Sequence, residues 1–169
     1  MAIARNNQIR FGVFLFSVRG LLNLTVSLGG ILAFFKTGAA GLFSVYGEIL
    51  KPSQVTPALE MASHIALNYS LISVGYGVLT IWMALHIWKG VRIALWINAV
   101  MLGITDLGFI IALIVPGYIP LGEGMIGPMI TLLAVVLTYF GFRKLEEDNA
   151  LEKVTAGWVP LDRRTRSRE

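Results

Sequence analysis

Three polar residues recur inside one apolar stretch near the amino end. Arg19, Asn23 and Ser27 stand at i, i+4 and i+8 of FGVFLFSVRGLLNLTVSLGGILAFF, residues Phe11 to Phe35. That spacing puts them on one face of a helix. A guanidinium in hydrocarbon is expensive, about 2.5–3.5 kcal/mol near a helix centre on insertion scales, so something must offset it. A second apolar stretch carries a single acid, Asp106, together with Asn98 and Thr105. At 1.5 Å per residue, Arg19 lies roughly 12 Å in from Phe11 and Asp106 roughly 20 Å in from Ile93, from the same side. An extended arginine nearly bridges that ~8 Å difference in depth. Arg19 and Asp106 are therefore expected to pair, with Asn23 completing a polar network that also draws on Asn98 and Tyr76.

Such a pair supports two kinds of role. As structure, it fixes how the first and third apolar stretches pack, and removing one partner strands the other at a cost of about 3–5 kcal/mol. As function, it lines a polar pocket that binds a headgroup or small molecule, or relays protons. Tyr69, Ser73, Tyr76 and Thr80 share a face of another apolar stretch and could close such a pocket. Stripes of this kind also serve as plain helix contacts, worth about 0.6 kcal/mol each.

Other chemistries find no residues. Cysteine is absent, which removes disulfides, thiolate metal sites and cysteine nucleophiles. His64 and His86 sit roughly 33 Å apart along one helix and cannot share a metal. There is no phosphate-binding loop, no carboxylate pair and no serine–histidine arrangement. The glycines of LGEGMIG follow no strand and read as a turn. The residues imply no particular cofactor.

These side chains must be positioned by membrane helices. Of the 169 residues, 56% are apolar and only 14% charged, against roughly 25% charged in a soluble domain. Mean hydropathy is +0.72. Crossing a ~30 Å core takes ~20 apolar residues. The stretches 11–35, 65–88, 93–115 and 125–142 meet or approach that length, the last with Tyr139, Arg143 and Lys144 to anchor its end. The expected fold is an all-α membrane protein, a four-transmembrane-helix bundle over residues 1–142. A polar helical extension and basic tail follow over 143–169.

The basic residues set the topology. Of the fourteen Lys and Arg, all but Arg19, Lys36 and Lys51 fall at the amino end, in the Lys89–Arg92 link or after Phe142. Those segments share a side in a four-span chain, so both termini are expected in the cytoplasm. A cleaved signal peptide is the competing reading of the amino end. The apolar run exceeds the usual 7–15 residues and Arg19 interrupts it, so the first stretch is expected to be retained.

The connections add detail. Leu42 to Leu50 carries a 3.6-residue apolar period, predicting a short interfacial helix in the first external loop. Thr56 before Pro57 is a helix-start signature. The turn Lys89-Gly90-Val91-Arg92 makes spans two and three antiparallel neighbours. Ser73/Gly77 and Ala99/Gly103 are small-xxx-small pairs, and Gly20, Gly29 and Gly30 also admit close neighbours. In the tail, Arg163, Arg164, Arg166 and Arg168 could grip anionic lipid or an acidic partner surface, at roughly 1 kcal/mol each.

Arg19, Gly29, Gly30 and Lys36, in that order, resemble the first helix of small four-span bundles of the DoxX type. Some members of that group are linked to redox or quinone partners. The resemblance covers one helix, excludes Asp106 and the long first loop, and transfers no functional residue.

The leading expectation from the sequence is a non-catalytic accessory or assembly subunit of a larger membrane complex. The alternative is a small-molecule, lipid or quinone-binding or transport protein using the pocket around Arg19 and Asp106. A membrane enzyme acting on a lipid comes third. The expected partners are membrane lipids and other membrane subunits or a second copy of the chain, not nucleic acid.

Overall fold

The computed structural model describes residues 6–46 and 55–157, and among these it is all helical. Four helices are long and apolar enough to cross a membrane. They are α1 (Asn7–Ser44), α2 (Pro57–Trp88), α3 (Arg92–Phe109) and α4 (Leu121–Gly157). A π-helical turn, Ile110–Ile114, prolongs α3. Helix α1 packs most extensively on α2 and then on α4, while α3 closes the bundle against α2 and α4.

Capping decides where the helices begin. Asn6 accepts hydrogen bonds from the amides of Gln8 and Ile9, and its own amide donates to the Gly141 carbonyl of α4 at 2.9 Å. Thr56 accepts from the Leu59 amide with Pro57 in the first turn, so α2 starts where the Thr-Pro signature expects it. The α2–α3 link turns at Gly90, with φ at +92°. Arg92 then ties α3 to α4. It pairs with Glu146, donates to the Phe142 carbonyl and lies 5.4 Å from the centre of the Phe142 ring.

The core has two apolar clusters. One gathers Ile9, Phe16, Ile87, Leu95, Leu102 and Phe142, joining the start of α1, the α2–α3 link and the second half of α4 at one end of the bundle. The other gathers Leu42, Phe43, Ala66, Leu113 and Ile119 at the opposite end. Glycines admit close crossings in the first. A Cβ on Gly20 would lie 2.9 Å from the Gly77 carbonyl, and one on Gly77 would lie 2.8 Å from the Gly20 carbonyl. Gly77 of the Ser73/Gly77 pair is thus at a helix crossing. Around Gly103 of the Ala99/Gly103 pair there is open space, so no helix crosses closely at that glycine.

The second cluster contains a fold-back. Gly38 has φ +67° and ψ −147°, and this breaks α1 after Thr37. Such a backbone is close to glycine-only territory. The chain then returns along its own helix: a Cβ on Gly30 would meet Leu42 at 3.0 Å. Leu42 and Phe43 are fully buried. Within the stretch expected as an interfacial helix, Ser44 is exposed and Val45 and Tyr46 are half-buried, and residues 47–50 lie outside the described residues. The polar extension expected after Phe142 continues α4 without a break to Gly157.

The outer surface is apolar. Leu28, Leu32, Phe35, Ile104, Ile111 and Leu132 are all exposed. A soluble monomer rarely exposes so much contiguous apolar surface, whereas lipid-facing helices do.

Candidate functional site

Arg19 points from α1 across the bundle. Its Nη2 lies 2.5 Å from Asp106 Oδ1 of α3, and the two side chains are only 11% and 8% exposed. Nη1 donates to Asn23 Oδ1, one turn further along α1. Nε donates to Thr131 Oγ1 of α4 at 3.1 Å. One guanidinium thus binds three helices together.

Helix α4 is shaped to receive it. A Cβ on Gly127 would lie 2.8 Å from Arg19 Cζ, so only glycine leaves room for the guanidinium there. Thr131 also donates to the Gly127 carbonyl at 3.2 Å. Pro128, inside α4, has no N–H, so the Gly124 carbonyl lacks its helical donor.

The network is not fully spent. Asp106 Oδ2 and Asn23 Nδ2 are buried without a hydrogen-bond partner among the described residues. The Asn23 amide cannot simply be turned round, because its oxygen is the only end that can face a guanidinium donor. Its N–H groups must therefore look elsewhere.

Beside this network lies a cavity of about 460 Å³, within the ~300–1,000 Å³ range of small-molecule sites. Arg19, Asn23 and Ser27 line it from α1, Tyr69 and Ser73 from α2, and Thr105, Asp106 and Phe109 from α3. Glu123, Gly124, Ile126, Gly127 and Pro128 line it from α4. Ser44, Val45 and Tyr46 of the fold-back form a further wall. Tyr46 packs on Phe109, ring centres 5.8 Å apart, and its hydroxyl lies 3.5 Å from Ser70 Oγ. Gly108 makes room for the Tyr69 hydroxyl, which a Cβ would strike. Ser44, Glu123 and Ile126 are exposed at the rim. The π-helical turn begins directly after Phe109, and such turns often accompany functional sites.

The structure joins Arg19, Asn23 and Asp106 and separates the other residues placed with them. Asn98 lies eight residues before Asp106, roughly 12 Å nearer the start of α3. Its amide donates to the Thr80 carbonyl of α2 at 3.4 Å, outside the cavity. Tyr76 is half-buried on α2 and does not line the cavity, though Tyr69 and Ser73 on the same helix do. Arg163, Arg164, Arg166 and Arg168 lie outside the described residues. Thr131, Gly127 and the fold-back were not singled out from sequence. A threonine or glycine in an apolar span carries no signal that separates a ligand of the guanidinium from an ordinary helix contact.

No family model matches the chain, and no curated protein or solved structure matches it.

Proposed function

We propose that this protein binds a small amphipathic molecule within a membrane bundle, with the polar head at Arg19, Asn23 and Asp106. One observation carries the reading. Arg19, Asn23 and Asp106 form a buried polar cluster, with Asp106 Oδ2 and Asn23 Nδ2 unpartnered among the described residues, and all three residues line a cavity large enough for a ligand. Leaving such atoms unpaired costs about 1–3 kcal/mol each. A purely structural ion pair would be better served by a cluster without spare polar atoms. The apolar lining from Leu22, Val26, Val45 and Phe109 suits the remainder of an amphiphile.

The distribution of Lys and Arg supports placing the end of the bundle that holds Ile9, Arg92 and Phe142 in the cytoplasm. The accessory-subunit reading draws on the exposed apolar helix faces, which lipid covers equally well.

Mild extraction followed by native mass measurement separates the two readings. The binding proposal expects a lone bundle or a homodimer carrying a bound small molecule. Co-migration with a large assembly, with no bound small molecule, would favour the accessory role instead.

A further inference from the structure

We infer that a second site, at the end of the bundle away from the Arg19 cavity, holds the head of a phospholipid with a primary amine beside its phosphate, as in phosphatidylethanolamine. It does not depend on the cavity being a ligand site.

The site is a hollow of about 210 Å³ between the start of α3 and the second half of α4. Arg92 and Trp96 border it from α3, and Tyr139, Phe142, Arg143 and Glu146 border it from α4. Its charged groups are within reach of a ligand. The side chains of Arg92 and Glu146 are 45% and 59% exposed, and that of Arg143 is 63% exposed. Trp96 and Tyr139 are exposed too, and meet edge to face with ring centres 6.0 Å apart. Rings of this kind mark the headgroup level of a bilayer. The same face of α3 continues through Ala99 and Gly103, three and seven residues past Trp96. Open space at Gly103 leaves room there for an acyl chain.

The charged groups keep bonding capacity to spare. Arg92 is held in place by Glu146 and by the carbonyl and ring of Phe142. It contacts Oε1 of Glu146, and Oε2 accepts no hydrogen bond among the described residues. Arg143 meets Glu147 through Nε at 3.4 Å, and its two terminal nitrogens make no hydrogen bond among the described residues. Arg143 and Glu146 stand at i, i+3, so they are neighbours on one face of α4, and both border the hollow.

Charge and hydrogen bonding then select the head. Arg92 and Arg143 are balanced by Glu146 and Glu147, so a zwitterion fits without leaving a net charge. Its phosphate suits the planar fork of Arg143, and its ammonium can donate to Glu146 Oε2. A choline head has the same charge but no N–H to donate. A glycerol head carries no cation for Glu146.

The test places the full chain in nanodiscs of equal parts dioleoyl phosphatidylethanolamine, phosphatidylcholine and phosphatidylglycerol, and reads the retained lipids by native mass spectrometry. The first two differ only in the methyl groups on nitrogen. Phosphatidylethanolamine should be retained about threefold better than either competitor, the scale of one exposed charged contact. Glu146→Gln should bring it down to the phosphatidylcholine level, and Arg143→Gln should lower its retention as well. Both side chains are exposed, so neither substitution opens the core. Equal retention of phosphatidylethanolamine and phosphatidylcholine overturns the inference, as does a preference that survives Glu146→Gln or is untouched by Arg143→Gln. Phosphatidylglycerol retained best overturns it in favour of an arginine site for anionic lipid. The substitutions lie at the far end from Arg19, so these outcomes leave the cavity reading where it stands.

Discussion

The two ends of the bundle solve the same packing problem differently. At the end built on Ile9, Phe16, Ile87 and Phe142, helices cross closely through Gly12, Gly20 and Gly77, and Thr138 spends its hydroxyl on the Ala134 carbonyl at 2.7 Å. At the other end a buried charge pair borders a cavity, and a fold-back of the chain forms one of its walls. Close packing in the first end relies on small residues, which let backbones approach. The open space in the second follows from what it must hold. A guanidinium is long and planar, and its partners come from three helices, so those helices cannot close on one another there.

The sharpest way to break this contrast is to strand one charge. Asp106→Asn should cost about 3–5 kcal/mol, because Arg19 then stays buried beside a neutral partner. The yield of folded protein should fall far below that of Glu123→Gln, which alters an exposed rim residue. Equal yields would remove the reason for treating the two carboxyls differently.

Next in size is the closed end. Gly77→Leu forces a side chain against the Gly20 carbonyl and should destabilise by about 1–3 kcal/mol. Gly103→Ala, which meets open space, should stay within about 0.5 kcal/mol of wild type. Unfolding titrations in detergent would compare them. Similar losses at both positions would mean that α1 and α2 do not cross where the structure places them.

The fold-back can be tested on its own. Gly38→Ala puts a Cβ into a backbone conformation worth about 1–3 kcal/mol of strain, so residues 39–46 should leave the bundle more often. The chain has no cysteine, which makes Val45→Cys a clean reporter. Maleimide labelling of Val45→Cys should be faster with Gly38→Ala than without it. Unchanged labelling would argue that the segment does not depend on the turn at Gly38. The smallest effect is expected for Thr131→Val, which removes one donor–acceptor contact to Arg19 and should cost about 1 kcal/mol.

Parts of this arrangement were legible in the sequence for identifiable reasons. A lone arginine in hydrocarbon has to be compensated, and Asp106 was the only acid inside another apolar stretch. Asn23 followed from helical spacing, and Thr56-Pro57 marked a helix start by its capping chemistry. Asn98 and Tyr76 were placed with the network because a helix face is read from periodicity. Depth along that face, and which neighbour it meets, come from how helices cross. Asn98 therefore faces Thr80 rather than Arg19. The fold-back was hidden for a different reason. Its apolar period at Leu42 to Leu50 fits an interfacial helix and a buried one equally, and only the unusual torsion at Gly38 turns the chain inwards. Gly127 was invisible because its role is the absence of a side chain opposite a particular guanidinium.

The pairing of Arg19 with Asp106 across α1 and α3 underlies both the open end and its proposed ligand. A double-mutant cycle of Arg19→Met, Asp106→Leu and the double variant, followed by unfolding in bicelles, tests it most directly. Each single variant should lose several kcal/mol, and the double should be more stable than either, because no charge is then left stranded. Losses that simply add would mean the two groups do not touch, and the cavity built around them would have no basis.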